Sequence, residues 1–204
     1  MARSYTLKKR AEQQAETRQR IVKAAVHLHT KLGPAATTFS MVAEKAGVQR
    51  HTLYAHFPDE RSLLMACSGH VDECDPIPDA EGWRGIADVT QRLTTGLRAI
   101  YAWFERNEIL LANVLRDAEH HPVVQEISRL RYGAPIVGWH DVLGAKLTAK
   151  QRPMLHLSLS FYTWRSLTRE AGLKSSAAVD AMVGAVIGAA VTASSGKHQG
   201  ALVS

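Results

Sequence analysis

The polar side chains that follow a glycine in AGVQRHTLYAHF, Ala46–Phe57, are the most chemically suggestive feature of this 204-residue chain. Within about two helical turns they surround one apolar residue, Leu53. The set comprises Gln49, Arg50, His51, Thr52, Tyr54 and His56. These residue types occur in catalytic clusters, in metal sites and in surfaces that bind DNA, and the stretch alone leaves all three possibilities open.

The elements around this stretch predict a helix-turn-helix. A short helix is expected at Phe39–Lys45, with Thr38 placed to be its N-cap. Gly47 permits the backbone conformation that a tight corner needs. The next helix is expected at Gln49–Ala55, with Leu53 pointing inward, so that the polar side chains face outward or along the rim.

The charge distribution favours a polyanion as the partner of the N-terminal third. Residues 1–66 hold 11 Lys and Arg against 5 Asp and Glu, whereas residues 67–204 hold 14 of each. The first helix, predicted at Ala11–Leu32 and ended by Gly33 and Pro34, follows a basic arm that includes Lys9. All of the formal excess charge, +6, therefore lies beside the predicted helix-turn-helix.

DNA binding explains the polar stretch better than a metal site does. Arg side chains pair bidentately with guanine edges, Gln side chains pair with adenine edges, and hydroxyls bond to phosphates. His51 and His56 are five residues apart, which is poor spacing for one helical face, and no Cys or acidic partner follows them in a known metal-site pattern. A solvated helix with incidental polar residues is the remaining alternative.

Every other predicted element is also a helix, so the expected fold class is all-α. A polar segment with two prolines, Asp72–Gly82, is the predicted break between parts of the chain. Beyond it, helices are predicted at Trp83–Arg106, Ile109–Ala118, Pro122–Gly144, Ala149–Ala171 and Ser176–Ala193. The last dozen residues are expected to be frayed.

Large aromatic and apolar side chains in the neutral part are typical of an apolar ligand pocket and equally of a helical core. The candidate pocket residues are Trp103, Phe104, Leu111, Leu115, Trp139, Phe161, Tyr162 and Trp164. His120 and His121 precede Pro122 and are interpreted as a helix-end loop that would suit a trigger at a pocket mouth.

Small residues recur near the C-terminus, where they would let a partner helix approach closely. Together with an aromatic neighbour they form the candidate dimer interface: Trp164, Gly184, Ala185, Gly188 and Ala189. The stretch Ala177–Ala193 is short for a bilayer and contains Asp180, so a membrane partner is not expected. The two cysteines, Cys67 and Cys74, imply no disulfide framework and favour a cytoplasmic protein.

No enzyme signature is present: there is no G-x-S-x-G, phosphate-binding glycine loop, H-E-x-x-H or C-x-x-C. Glu105 and Glu108 are three residues apart but have Arg106 between them, which favours solvated charges over a catalytic pair. We expect no enzymatic activity, no metal and no cofactor.

The segment TTFSMVAEKAGVQRHTLYAHFPDERSLL, Thr37–Leu64, resembles the DNA-binding segment of the TetR family of bacterial regulators. TRQRIVKAAVHLHTKLG, Thr17–Gly33, resembles the family's first helix, and FYTWRSLTREAGL, Phe161–Leu173, more weakly resembles a late helix. The resemblance implies a three-helix DNA-binding domain at 1–58 with a basic arm. It also implies a helical ligand-binding and dimerisation domain at 59–204.

One position departs from the family pattern. The family usually has Lys three residues after the Phe of its Tyr-x-His-Phe motif, where this chain has Glu60, and a carboxylate does not hold a phosphate. Either the neighbouring cation, Arg61, replaces this phosphate contact or the contact is lost. The DNA-binding residues that the resemblance and the charge pattern imply are Lys9, Thr38, Gln49, Arg50, His51, Thr52, Tyr54, His56 and Arg61.

The predicted function is a ligand-responsive transcriptional repressor that binds a palindromic double-stranded DNA operator as a homodimer and is released by a small apolar or aromatic effector. One alternative is a regulator controlled by a protein partner or without a small-molecule effector. Another is a helical binding module or enzyme whose N-terminal domain is only structural.

Overall fold

The computed structural model describes residues 2–190, with side chains from Lys8 onward. This part of the chain is made of helices and connecting segments and has no strand, which confirms the predicted all-α class. Its α-helices are α1 (Ala2–Leu32), α2 (Phe39–Ala46), α3 (Arg50–His56), α4 (Glu60–Cys74), α5 (Val89–Ala118), α6 (Pro122–Leu143), α7 (Arg152–Ser158), α8 (Phe161–Arg165) and α9 (Ser175–Gly188). A 3-10 helix, Ala80–Trp83, precedes α5, and a π-helical turn, Ser166–Glu170, follows α8.

The chain forms two compact units. Of the described residues, 2–76 and 107–133 form the first unit, and 77–106 and 134–190 form the second. The long helices α5 and α6 each supply residues to both units. The first unit therefore contains the predicted helix-turn-helix together with one end of α5 and one end of α6.

The core of the first unit is built from the inward faces of its first four helices, where α1 packs against α2 and α4. Its buried members are Ile21, Val22, Ala25, Val42, Ala43, Leu53, Phe57, Leu63 and Cys67. Burial of these side chains supplies most of the stabilisation of the helix-turn-helix, since helices as short as α2 and α3 are marginal by themselves.

The end of α5 is bonded to the turn between α1 and α2. The backbone N–H of Ala35 donates to Asp117 Oδ2 at 2.9 Å, and Arg116 Nη2 donates to the carbonyl of Leu32 at 3.2 Å. Gly33 has a φ of +94°, and a Cβ at this position would overlap the Arg116 guanidinium and the Asp117 carboxylate. A glycine is therefore required for this close approach.

In the second unit, α5 approaches α6 closely at a glycine. A Cβ added to Gly96 would lie 2.6 Å from Leu143 Cδ2 and 3.1 Å from the Trp83 ring. The buried side chain of Arg92 bonds to two backbone carbonyls, those of Ile86 at 2.8 Å and Ala145 at 2.5 Å. These bonds join the loop before α5 to the loop after α6 within this unit.

Three helix boundaries differ from the sequence predictions. α5 is one continuous helix through Asn107, where a break was predicted; the amide of Asn107 donates to Asp75 Oδ2 at 2.7 Å. The helix predicted at Ala149–Ala171 is divided into α7, α8 and the π-helical turn. α1 begins at Ala2, so the basic arm is helical. The predicted helix end at Ala193 and the predicted frayed tail lie outside the described residues.

Both cysteines lie on α4 as free thiols. Burial raises the pKa of Cys67 to about 12, so this thiol does not ionise near neutral pH. Cys74 is exposed and has its Sγ 3.9 Å from the ring nitrogens of His70. Within residues 2–190, no helix combines the length and apolar composition that crossing a membrane requires.

Candidate nucleic-acid interface and effector site

The corner of the helix-turn-helix is fixed by caps on both ends of α2. Thr38 is the N-cap, and its Oγ1 accepts a hydrogen bond from the Met41 N–H at 3.3 Å. Gly47 ends the helix with φ 64° and ψ 39°, the left-handed conformation that favours glycine. The Val48 N–H then donates to the Ala43 carbonyl at 3.0 Å, which completes a Schellman-type closure.

The second helix of the motif, α3, starts after Gln49 and is held by two buried side chains. Gln49 is the N-cap, and its carbonyl accepts the first helical bonds from Thr52 and Leu53. Leu53 and Phe57 have no exposed surface. These two residues fix the rotation of α3, so the direction of every other side chain on it is determined.

The predicted DNA-binding side chains of α3 occupy three sides of the helix. With Leu53 facing inward, about 100° of rotation per residue places His51 and Ala55 on the opposite, outermost side. Arg50 and Tyr54 lie on one flank and are exposed. Tyr54 leans on α2, since its ring centroid is 5.1 Å from that of Phe39.

The other flank of α3 faces α1 across an open groove of about 590 Å³. Thr52 and His56 are half-buried there, beside Arg18 of α1. The Arg18 guanidinium also lies 4.5 Å from the ring centroid of Phe57, in a cation–π arrangement that connects α1 to the base of α3. The groove is lined by Arg10, Gln13, Gln14, Ala15, Thr17, Arg18, His51, Thr52, Ala55 and His56.

Three polar residues of this groove were missed by the sequence analysis: Gln13, Gln14 and Thr17. They lie on the extended N-terminal half of α1, which also carries the exposed Lys9. The available signal was the run of helix-favouring residues KKRAEQQAE, which contains no Gly or Pro to end a helix. Because the arm is helical, its basic side chains have defined positions relative to α3.

Glu60 and Arg61, at the start of α4, are both paired with groups at the beginning of α6. Arg61 Nε and Nη2 lie 3.0 and 2.8 Å from Glu126 Oε1. Glu60 Oε1 lies 3.4 Å from His121 Nε2. The predicted phosphate contact by Arg61 therefore requires its guanidinium to be shared with Glu126 or exchanged for a phosphate. Asp59 caps α4 in a capping box with Ser62.

A buried histidine lies near the end of α1. This residue, His29, is 5% exposed, and burial lowers its pKa to about 4 although the charge of Asp117 opposes this shift. His29 is therefore neutral at physiological pH. It does not add to the positive charge of the DNA-binding face.

The structure does not assemble a metal site from the histidines of the motif. His51 Nε2 lies 3.3 Å from Thr52 Oγ1. Among the residues that the structure describes, no group of three or more His, Cys, Asp or Glu is placed to hold a metal ion.

The aromatic residues predicted for the ligand pocket form one cluster in the second unit, centred on Phe104. Its ring centroid is 5.6 Å from Phe161, 5.9 Å from Trp164 and 6.4 Å from Trp139. Trp103 lies 5.7 Å from Phe104 by the same measure. The mixture of tilted and edge-on arrangements is the one that aromatic quadrupoles favour.

Three other predicted pocket residues, Leu111, Leu115 and Tyr162, lie outside the buried part of this cluster. Leu111 and Leu115 belong to the first unit, where Leu111 is buried and Leu115 is half-buried. Tyr162 contacts Phe161, at 5.8 Å between ring centroids, but is 49% exposed.

The candidate dimer residues differ in exposure. Gly184, Ala185 and Gly188 are exposed on α9, and a Cβ on either glycine would meet no atom within 4 Å. Ala189 is half-buried. Trp164 is fully buried, so its side chain does not reach the surface.

Known proteins resemble this chain over part or most of its length. The family model described as "Bacterial regulatory proteins, tetR family" matches residues 21–67. The HTH-type transcriptional regulator SrpR of Pseudomonas putida is 37% identical over 172 residues, which are 78% of this chain and 75% of SrpR. The HTH-type transcriptional regulator TtgR of the same species is 42% identical over 55 residues, 27% of this chain and 26% of TtgR.

Solved structures agree with the fold. Salmonella enterica GusR superposes with a TM-score of 0.60 at 18% identity, covering 85% of this chain and 95% of that one. A tetR-family transcriptional regulator from Streptomyces coelicolor superposes with a TM-score of 0.61 at 15% identity, covering 87% and 82%. The chain therefore belongs to the TetR family of bacterial transcriptional regulators, and its α2–α3 helix-turn-helix is a DNA-binding motif.

Proposed function

We propose that this protein is a ligand-responsive repressor that binds a palindromic operator as a homodimer and is released by a small apolar or aromatic effector. The DNA-binding domain is residues 1–58, and residues 59–204 bind the effector and form the dimer. The observation that carries the proposal is the exposed outer surface of α3 within the basic third of the chain.

The side chains on α3 support major-groove binding. Gln49 and Arg50 are exposed at the start of the helix, where they meet base edges first when α3 enters the groove by its N-terminus. Tyr54 and His56 lie one turn further along on the two flanks, at positions suited to the phosphates on either side. Lys9 and Thr38 add contacts to phosphates from α1 and from the cap of α2.

The exposed small residues of α9 support a homodimer. Gly184 and Gly188 are four residues apart and have open space beside them. A two-fold pairing of this face would allow a close helix–helix approach. Two copies of α3 would then lie about one DNA turn, or a multiple of it, apart.

The aromatic cluster around Phe104 supports an apolar or aromatic effector. Rings of this kind, together with a few polar groups, are typical of small-molecule sites in helical proteins. An effector releases DNA only when it binds the non-DNA-binding state more tightly than the other state.

The test is an anisotropy titration of a labelled duplex from the region upstream of the protein's own gene, compared with an unrelated duplex of equal length. Binding that prefers the upstream duplex supports the proposal. Equal binding to both duplexes, or no binding at low salt, contradicts it. Dimer formation is measured separately by sedimentation of the wild type and of Gly184→Leu, which should dissociate.

The close packing of the aromatic rings favours a second candidate, a regulator without a small-molecule effector. Trp103, Phe104 and Trp164 are all nearly or fully buried, as core residues are. Thermal unfolding in the presence of a compound library separates the two candidates. Stabilisation by an apolar compound that also releases DNA supports the effector, and the absence of any such compound supports the second candidate.

A further inference from the structure

One polar group in the aromatic cluster has no acceptor. Trp164 has no exposed surface, and its Nε1 is buried without a hydrogen-bond partner among the described residues. The neighbouring polar groups are satisfied by backbone carbonyls. Trp139 Nε1 donates to Pro78 at 2.7 Å, and the Tyr101 hydroxyl donates to Ser158 at 2.9 Å.

The orientation of this indole is fixed on several sides. Phe104 and Phe161 lie 5.9 and 5.6 Å from its ring, and the Arg169 guanidinium lies 5.6 Å from the ring centroid. Arg169 belongs to the π-helical turn that follows α8, where Thr168 Oγ1 donates to the Trp164 carbonyl at 2.9 Å. Such turns inside helical segments are often found at functional sites.

A buried donor without an acceptor is costly in a folded protein and is therefore rare. The cost is removed when a bound molecule supplies the acceptor. The donor here, Trp164 Nε1–H, belongs to an indole ring that packs against the rings of Phe104 and Phe161. A ligand that meets it would place a planar group against those faces and an acceptor atom at Nε1.

We propose that Trp164 Nε1–H is the specificity-determining donor of the effector site, and that the effector is a planar aromatic molecule with a neutral carbonyl-type oxygen. This inference rests on the proposed effector function. A neutral oxygen is satisfied by one donor, whereas a carboxylate buried here would need several. Trp139 and Tyr101 already donate to backbone groups, whereas Trp164 Nε1 has no acceptor among the described residues and can donate to a ligand.

The experiment uses acetophenone and α-methylstyrene, which share a shape and differ in a carbonyl oxygen against a methylene. This chain contains four tryptophans, so its indole N–H signals are few and Trp164→Phe identifies the one from Trp164. In the NMR spectrum, we expect acetophenone to shift this signal downfield, because its carbonyl oxygen accepts the N–H. We expect no such shift with α-methylstyrene, which has no acceptor. We also expect Trp164→Phe to weaken acetophenone binding by about fivefold and to leave α-methylstyrene binding unchanged.

Trp139→Phe is the matched control, because it removes an indole N–H that already has an acceptor. Its ratio of acetophenone to α-methylstyrene affinity should remain that of the wild type. If both compounds bind the wild type and Trp164→Phe with the same ratio, and the Trp164 signal does not shift, the inference is overturned while the effector function stands. If neither compound binds the wild type, the inference is overturned, and the effector function is decided separately by the compound library.

Discussion

The carboxylate of Asp117, near the end of α5, accepts a hydrogen bond from the backbone N–H of Ala35, which lies 82 positions earlier in the sequence. Asp117 is 8% exposed, so this bond is protected from water. It fixes the turn that leads into α2, and α2 carries the Thr38 cap of the DNA-binding motif. A helix that also contributes Phe104 to the aromatic cluster is thus bonded to the turn before the motif.

Asp117→Ala should lower the free energy of unfolding by about 1–3 kcal/mol, because the Ala35 N–H loses its acceptor. DNA affinity should fall as well, since the turn before α2 is no longer held. Asp117→Asn keeps an acceptor oxygen for Ala35 and is the matched control, with a smaller loss expected. Urea unfolding measures both variants, and equal losses in the two would contradict a role for this bond.

Stability should depend on pH through His29. Its folded-state pKa of about 4 lies below the ordinary value of 6.5, so the unfolded chain binds the proton more readily. The stabilisation is complete above pH 6.5 and is lost as the pH falls toward 4. For this residue alone we expect a loss of about 2 kcal/mol between pH 7.5 and pH 5.

The pH dependence of His29 is isolated by comparison with His29→Gln, which does not titrate. Urea unfolding of both proteins at pH 7.5, 6 and 5 gives the difference. The wild type should lose more stability than the variant over this interval. Parallel pH profiles would show that the imidazole of His29 titrates normally in the folded protein.

Arg50 and Lys9 should affect DNA binding differently. Arg50→Ala should reduce the preference for operator over unrelated DNA by about 1–3 kcal/mol, because a base-edge contact is lost. Lys9→Ala should weaken binding to both DNAs equally. It should also reduce the slope of the logarithm of the binding constant against the logarithm of the salt concentration by about 1. Anisotropy titrations at several salt concentrations distinguish these effects. If Arg50→Ala lowers the affinity for operator and unrelated DNA equally, Arg50 contacts phosphates and not base edges.

Arg61 should gain a phosphate contact when its partner Glu126 is neutralised. Glu126→Gln releases the guanidinium, and DNA affinity at low salt should rise by about threefold. In an Arg61→Ala background the same substitution should give no gain. A gain of equal size in that background would mean that the effect comes from net charge, and that Arg61 only joins α4 to α6.

The sequence predicted the motif well because its signals are local. Thr38 caps the helix that follows it, and Gly47 adopts the left-handed conformation at the corner. Leu53, in the next helix of the same segment, is buried. These features depend on neighbours within a few residues. The family match over residues 21–67 covers the same region.

Long-range contacts account for what the sequence could not predict. Asn107 suggested a helix break on propensity alone, but its amide bonds to Asp75 and α5 continues through it. The bond between Asp117 and Ala35 joins positions far apart in the chain, and no spacing rule connects them. The fully buried position of Trp164, likewise, depends on rings contributed by α5 and by the start of α8.

The central claim is sequence-specific binding by paired copies of α3. Selection of duplexes from a random library by the full-length protein tests it most directly. We predict enrichment of an inverted repeat whose half-site centres lie about one helical turn, or a multiple of it, apart, with Arg50→Ala losing the preference at one position of each half-site. Recovery of no enriched sequence, or of a single unrepeated site, would contradict the account.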